Sequence, residues 1–436
     1  MNETELNKGK EIYDFCGEIF PLARSITGEW VVKTLEMINI ELVKSGCPTM
    51  DILKVPTGTQ VFDWTVPKEW KIREGYIENE KGERIIDYKI NPLHILGYST
   101  PVDEWVDLKE LKEHVYVQED APDVIPYVTS YYRERYGFCM SQNMRDSLPE
   151  GKYHMFIDSE LFDGNLTYGE LVLPGKSKKE IFFSTYTCHP HMANNESSGP
   201  ALATFLIKFV NAMKNRKYTY RFIFIPETIG SITYLSTHLP HMKEHMTAGF
   251  NLSCVGDNRD YSILESRYAD TLSDRALTHV LEYNGPYTRY DYLCRGSDER
   301  QYNAPGVDLP VVGFSRTLFT RYPEYHTSAD DMNLVSPEGF GGAYQVMTNV
   351  IRLLENNGYY RIKVFCEPQL GKRGLYPSIS KKGSYDAIKS MTNFIAYADG
   401  KHDLIWIADK IHVPASELYE IKDKLLAHDL LEEIEG

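Results

Sequence analysis

Four residues that could bind a metal ion or act as a base each follow an apolar, strand-like run of the sequence. They are His189, Glu227, Asp257 and His326. In an open α/β sheet, ligands bind at the carboxyl ends of the strands, so we expect these side chains to lie close together. Imidazole and carboxylate groups are the usual ligands and bases of zinc hydrolases. The pattern predicts the site of a metal-dependent hydrolase.

His189 is the strongest ligand candidate. It follows the strand-like run Phe182–Thr187 and precedes Pro190, which restricts the chain as it leaves the sheet. A polar Asn-Asn-Glu-Ser-Ser-Gly turn at 194–199 then leads into an apolar helix. These surroundings do not suit a core histidine, and we interpret His189 as a metal ligand.

Glu227 is the best candidate for a general base. It ends the very apolar run Phe222–Pro226, where partial burial would raise its pKa toward the range useful for proton transfer. A carboxylate that merely accepts backbone hydrogen bonds at a helix N-terminus would occupy the same kind of position. We favour the base.

Three other ligand candidates also have ordinary structural explanations. Asn195 could cap the following helix, and Glu196 could be a carboxylate at that helix N-terminus. Asp257 lies in Val255–Asp260, which is a good turn sequence. Both interpretations of each residue stay open at this point.

A charged loop at 292–300 supplies candidate substrate contacts. Arg295 and Arg300 could bind a substrate carboxylate or an acidic glycan, although surface salt bridges would explain them as well. A peptide substrate would need an acidic group for its α-amine, and Glu196, Asp298 or Glu299 could provide it.

Strands and helices alternate through the central part of the chain. The predicted strands are Tyr168–Leu173, Glu180–Thr187, Tyr220–Ile225, Gly249–Val255 and Val311–Gly313. The predicted helices are Gly199–Asn215, Ser231–Leu239, Asp270–Leu281 and Pro337–Glu355. This alternation predicts an α/β fold with a mostly parallel sheet flanked by helices.

The flanking regions differ in character. Two helices, Lys8–Phe20 and Glu29–Leu42, come first, and 51–150 is predicted to be an inserted β-rich domain. Helices at Tyr385–Ala396, Leu404–Ile411 and Ala415–Ala427 and a strand at Leu430–Ile434 predict a winged helix-turn-helix domain over 376–436. The zinc-binding domain would then comprise 1–50 and 151–375.

The two histidine segments resemble those of zinc aminopeptidases that have a co-catalytic metal pair. In that family a strand-end His precedes a turn of the form A-N-D-x-x-S-G, similar to 193–199 here, and Tyr325–Asp330 closely matches its Y-H-T-P-A-D. The whole chain resembles an aminopeptidase-like bacterial family associated with surface-polysaccharide biosynthesis. The resemblance implies a zinc-exopeptidase-like fold and hydrolysis of amide bonds by a metal-activated water, with His189 and His326 on the metal and Glu227 as general base.

The sequence departs from the family pattern at three carboxylates. The metal-bridging Asp corresponds to Asn195, the second residue of a Glu-Glu pair to Thr228, and an Asp after a third strand to Ser253. A neutral amide cannot bridge two cations as a carboxylate does. We therefore expect one zinc ion rather than two, held by a subset of His189, Asn195 or Glu196, Asp257 and His326.

Three functions stay open on this basis. The first is an aminopeptidase-like hydrolase acting on a small peptide or amide. The second is a deacylase or amidase acting on an acylated amino sugar in surface-glycan biosynthesis. The third is a non-catalytic scaffold that keeps a degenerate zinc site.

Composition sets limits on partners and compartment. The chain has 436 residues, a formal net charge of −15 and seven scattered cysteines, which predict reduced thiols in the cytoplasm. No apolar stretch is long enough to cross a bilayer, so no membrane association is expected. Ser384–Gly436 carries five Lys/Arg against eleven Asp/Glu, a net of −6, so no nucleic acid is expected to bind the winged helix. The aromatic residues of the insertion suggest a homo-oligomer.

Overall fold

The computed structural model describes residues 3–375 and 388–434. The helices are α1 (Glu3–Ile19), α2 (Glu29–Lys44), α3 (Leu108–Glu113), α4 (Gln142–Asp146), α5 (Ser198–Ala212), α6 (Ile229–His245), α7 (Leu272–Glu282), α8 (Glu299–Tyr302), α9 (Pro337–Asn356), α10 (Lys389–Tyr397), α11 (Leu404–Ile411) and α12 (Ala415–Ala427). The strands are β1 (Asp51–Pro56), β2 (Gln60–Val61), β3 (Trp64–Thr65), β4 (Glu69–Asn79), β5 (Arg84–Asp87), β6 (Val102–Asp107), β7 (Val115–Tyr116), β8 (Phe138–Cys139), β9 (Lys152–Phe162), β10 (Asn165–Leu173), β11 (Glu180–Tyr186), β12 (Thr219–Ile225), β13 (Met246–Leu252), β14 (Ser262–Leu264), β15 (Thr288–Tyr290), β16 (Val311–Ser315), β17 (Tyr359–Ile362), β18 (Asp399–Asp403) and β19 (Leu431–Ile434).

The chain forms two compact units. The first contains Met1–Ser273 and Thr288–Gln345, and the second contains Asp274–Tyr287 and Val346–Gly436.

An eight-stranded sheet in the order β1-β10-β12-β11-β13-β16-β14-β15 is the centre of the first unit. Its middle strands β12, β11, β13 and β16 are parallel to one another. Toward the edges, β1 pairs antiparallel with β10, β10 with β12 and β14 with β16, whereas β15 is parallel to β14. Every residue of β11 is buried, as expected for a central parallel strand that is covered on both faces. The predicted α/β fold with a mostly parallel sheet and flanking helices is confirmed, with antiparallel strands that make the sheet mixed.

The region inserted after α2 forms small sheets of its own. Four antiparallel strands pair in the order β5-β4-β9-β6. β9 lies beyond residue 150 and completes this sheet, whereas β1 joins the central sheet. The domain boundaries at 50 and 150 stay predictions.

A winged helix-turn-helix lies in the second unit. β17 pairs with β18 and β19, and helices α10, α11 and α12 pack on one another. The bounds predicted for α11 and α12 agree with the structure. The predicted start of the first helix at Tyr385, like the boundary at 376, lies outside the described residues.

Among the described residues, no helix combines the length and apolarity that a bilayer crossing requires.

Candidate functional site

His189 and His326 lie next to each other in the first unit. Their ring centroids are 5.4 Å apart, and the ring of Tyr127 lies 5.1 Å from each. Burial lowers the pKa of both histidines to about 3, aided by the Arg24 charge for His189 and by His189 for His326. Both imidazoles are therefore neutral at pH 7, which is the form that binds metal ions.

Glu196 fixes the orientation of His189. The Nδ1 atom of His189 lies 2.9 Å from Glu196 Oε2, and its Nε2 atom lies 3.6 Å from Glu227 Oε2. The Glu196 side chain is fully buried, with Oε1 3.5 Å from Arg24 Nε. Burial raises the pKa of Glu196 to about 8, against the opposing Arg24 charge. A carboxylate behind a histidine sets the tautomer of a metal ligand, and this leaves Nε2 of His189 available.

Cys188 also lies beside these groups. One donor atom from each of Cys188, His189 and Glu196 falls within 4.8 Å of the others. Burial raises the thiol pKa well above its usual value, and Cys188 Sγ accepts a hydrogen bond from the backbone N–H of Glu227 at 3.1 Å. The thiol is thus neutral and already accepts this hydrogen bond, so we leave Cys188 out of the candidate metal ligands.

A π-helical turn, Ala193–Ser197, positions Asn195 and Glu196 together. Asp330 holds the turn, because its two oxygens accept the backbone N–H groups of Asn194 at 2.6 Å and Asn195 at 3.0 Å. The side-chain amide of Asn195 donates to Tyr186 Oη at 2.9 Å, which leaves its buried Oδ1 without a hydrogen-bond partner. Such turns within helices occur often at functional sites.

The donor atoms present fit one zinc ion. His326 Nε2 is buried without a hydrogen-bond partner, as is Asn195 Oδ1. Two imidazoles on one zinc at about 2.0–2.1 Å would have ring centres roughly 5 Å apart, close to the observed spacing. The set offers neutral nitrogens, an amide oxygen and the Glu227 carboxylate. It lacks a carboxylate at position 195 that could bridge a second cation.

Glu227 follows the carboxyl end of β12, and its side chain is 21% exposed. Burial raises its pKa to about 8, and the neighbouring Asp298 adds to the effect. The next residue, Thr228, has φ 63° and ψ −76°, which is strained for a β-branched residue. Its N–H donates to Asp298 Oδ1 at 2.7 Å, and its Oγ1 accepts from Arg300 Nη2 at 2.5 Å.

Asp298 and Glu299, the sequence candidates for binding an α-amine, are both buried. Asp298 uses Oδ1 for Thr228 and Ser231, while its buried Oδ2 has no hydrogen-bond partner. Glu299 Oε1 accepts the N–H groups of Gly296 and Ser297, and Oε2 accepts from Asn251 at 3.2 Å. Asp298 therefore has one oxygen to offer, whereas Glu299 holds its own loop.

Asp257 lies in a loop beyond the end of β13 at Leu252. Its carboxylate accepts hydrogen bonds from Asn194 Nδ2, from the N–H and hydroxyl of Thr317, and from the N–H of Arg259, so both oxygens are engaged. Asp257 thus links its own loop to the segments that contain Asn194 and Thr317, and its role as a metal ligand stays a prediction. The remaining candidate, Arg295, is exposed and lies over the ring of Tyr292 at 4.9 Å.

Two further residues support the candidate site but have no signal in the sequence. Arg24 comes from the loop after α1 and donates Nε to the backbone oxygen of His189 at 3.1 Å. Tyr127 comes from the insertion, where its N–H donates to the backbone oxygen of His326 at 2.9 Å. Neither carries a motif, because their proximity depends on how distant segments pack.

Known proteins share both the sequence and the fold. The model of a domain of unknown function, DUF4910, matches residues 13–357, and that of a winged helix-turn-helix matches 357–433. A Clostridium acetobutylicum protein, provisionally named a polysaccharide biosynthesis protein with an aminopeptidase-like domain, is 41% identical over 97% of this chain and 96% of its own.

Solved structures agree. A crystal structure from Clostridium acetobutylicum, provisionally named a peptidase, superposes with a TM-score of 0.92 at 39% identity, covering 99% of this chain and 98% of that one. A zinc aminopeptidase from Bacillus subtilis shares the fold at a TM-score of 0.56 and 13% identity, over 79% of this chain and 95% of that one. The chain belongs to the DUF4910 family of aminopeptidase-like proteins, here with a C-terminal winged helix-turn-helix.

Proposed function

We propose that this protein is a zinc-dependent hydrolase of amide bonds. The observation that carries the proposal is the pair of neutral, buried imidazoles 5.4 Å apart, with His326 Nε2 unpartnered and Glu227 3.6 Å from His189 Nε2. His189 and His326 would hold the ion, and the Asn195 amide oxygen is available as a further ligand. Zinc, when bound, polarises a carbonyl and lowers the pKa of water.

The protein's own residues supply the proton transfer. Glu227 lies at the edge of the site, where it would accept a proton from the attacking water and donate it to the leaving amine. Its raised pKa suits both steps, since a carboxyl group whose pKa lies closer to the working pH can both gain and lose a proton readily. Asp298 holds the strained turn after Glu227 and thereby fixes the position of the base.

We also propose a substrate class, on the basis of how the relatives are named. The Clostridium relative is named for polysaccharide biosynthesis, which supports an amide-bearing glycan precursor, and for an aminopeptidase-like domain, which supports a small peptide. An N-acyl amino sugar needs only one metal ion and one base.

Metal content tests the proposal. We expect about one zinc per chain in protein purified without added metal, and its loss in His189→Ala and His326→Ala. The control is His402→Ala, which changes a partly exposed histidine stacked on Trp406 in the second unit. Retention of zinc in both site variants, or absence of zinc from the wild type, would overturn the assignment.

Activity tests the base. Glu227→Gln should keep zinc but lose about 10²–10⁴-fold in turnover of an amide substrate. Aminoacyl anilides and N-acetylated amino sugars, assayed in parallel, separate the peptidase from the deacylase. Zinc bound without turnover of either would favour the scaffold.

A further inference from the structure

A cleft of about 630 Å³ in the first unit is lined by three arginines, Arg267, Arg295 and Arg300. Asp291 is the one acidic residue among the lining side chains, and it accepts the N–H of Leu293 at 2.7 Å as the cap of a short turn. The chain as a whole carries a net charge of −15. The negative charge of the protein as a whole repels anions, whereas a positively charged cleft attracts them locally.

The cleft adjoins the turn that carries Glu227. Arg300 donates Nη2 to Thr228 Oγ1 at 2.5 Å, and Thr228 directly follows the base. A molecule held by Arg300 in this cleft would thus lie next to the amide on which Glu227 acts.

The arginines keep binding capacity. The buried Nε atoms of Arg267 and Arg300 have no hydrogen-bond partner. Arg267 already pairs with Asp308 and Tyr268, so most of its charge is compensated. Arg295 is exposed and rests on Tyr292, and no ion pair with a described carboxylate is formed by Arg295 or Arg300. These two guanidinium groups are therefore available for a carboxylate or phosphate group, which they could bind through paired donors.

Aromatic rings from the insertion lie near the same cations. Burial raises the pKa of Tyr132 and the nearby Arg300 charge opposes that rise, although the residue is 68% exposed. Trp64 packs edge-on against Tyr132 at 5.5 Å. Exposed aromatic surface beside a cation suits a ligand that has both an apolar face and a negative charge, such as an acidic sugar.

We propose that Arg295 and Arg300 form a subsite for a carboxylate or phosphate group carried by the substrate beside the scissile amide. The substrate is then an acidic amide rather than a neutral one. This inference rests on the proposed hydrolase function for the meaning of the subsite, whereas anion binding itself can be measured without turnover.

Calorimetric titration of the full-length protein tests the subsite. The probes are glucuronate for the carboxylate, glucose 1-phosphate for the phosphate, and glucose as the neutral control. We expect at least one anionic sugar to bind and glucose not to bind. Arg295→Gln and Arg300→Gln should each weaken binding by about tenfold or more, and raised salt should weaken it further.

Two controls separate the possible causes. Arg73→Gln removes an exposed arginine that pairs with Asp158 and Glu160 in the insertion, and it should leave anion binding unchanged. Glu227→Gln should lower hydrolysis by about 10²–10⁴-fold while retaining anion binding, so loss of the hydrolase and loss of the subsite are distinguishable. Because Arg295 is exposed, its variant is expected to fold, and unchanged thermal unfolding would establish this.

The inference is overturned if glucose binds as well as the anions, if neither anion binds, or if Arg295→Gln binds like the wild type. Stronger binding of glucuronate would assign a carboxylate, and stronger binding of glucose 1-phosphate would assign a phosphate.

Discussion

Buried carboxylates that never need to touch a substrate organise the site at the scale of single residues. Glu196 binds His189 Nδ1 at 2.9 Å, and Asp330 holds the turn that carries Glu196. The arrangement resembles the carboxylate–histidine pairs that orient ligands of catalytic zinc, whose loss weakens metal binding. The two residues matter because they orient His189 and Asn195, two of the proposed zinc ligands.

Glu196→Gln should therefore lower zinc affinity by about 10- to 100-fold, measured by competition with a chelator. The amide oxygen can still accept from Nδ1, but the amide cannot ionise, so it cannot place a negative charge behind the ligand or opposite Arg24. Glu180→Gln is the matched control, since Glu180 is a buried carboxylate at the opposite end of β11 that pairs with Arg221. Its zinc affinity should equal that of the wild type, and an equal loss in both variants would contradict the role of Glu196.

The sequence predicts that two site residues lie close together where both follow neighbouring strands of the sheet. His189 and Glu227 follow β11 and β12, which are parallel neighbours, so their strand-end positions brought them together as expected. Glu196 lies seven residues after His189, and the π-helical turn at 193–197 brings its carboxyl group back to the histidine. Such a turn has no sequence signature, so this contact could not be predicted. Tyr127 and Arg24 reach the site from separate segments, and nothing in their local sequence indicates this.

At the scale of elements, the start of α5 sets the position of the π turn. A Cβ atom on Gly199 would lie 2.2 Å from Thr185 Oγ1 and 2.7 Å from the backbone oxygen of Leu252, so the helix begins in direct contact with β11 and the end of β13. Only glycine allows this approach. The strands therefore hold the turn through the helix that follows it.

Gly199→Ala should reduce the free energy of unfolding by about 1–3 kcal/mol, because the methyl group must displace backbone. It should also reduce zinc content, since α5 carries the turn with it. Gly17→Ala in α1 is the control: its nearest neighbour, Met332 Cε, is 3.5 Å away, and alanine favours the helix. Urea unfolding measures the free energy of unfolding of both variants. Equal stability of the two would show that the close contacts of Gly199 with β11 and the end of β13 do not require glycine.

Elements with apolar periodicity were predictable, and those without it were not. The bounds of α11 and α12 agree with the sequence prediction because each has a clear apolar face. β18, Asp399–Asp403, is almost entirely polar and was not predicted. The strand expected to run to Val255 ends at Leu252, and Cys254 then has φ 54°, so the chain leaves the sheet before Asp257.

At the scale of the whole molecule, charge is the reason to expect that no nucleic acid binds the winged helix. α12 has the position of a recognition helix, but both of its lysines are engaged. Lys422 is buried and lies 2.9 Å from Asn356 Oδ1 and 3.2 Å from Asp423, while Lys424 pairs with Glu420 at 2.7 Å. Duplex affinity arises from cations that neutralise phosphates, and this helix offers none that is free.

The full-length protein should therefore show no binding to a labelled random duplex at roughly 10 µM protein and about 0.15 M salt, measured by fluorescence anisotropy. A Glu417→Lys, Glu420→Lys double variant provides the positive comparison. It reverses two charges on α12 and releases Lys424, so weak, salt-dependent binding should appear. Wild-type binding that falls with rising salt would show that cations elsewhere in the chain reach the phosphates. If neither protein binds, the charge of this helix is not the limiting factor, and its shape or its packing excludes the duplex.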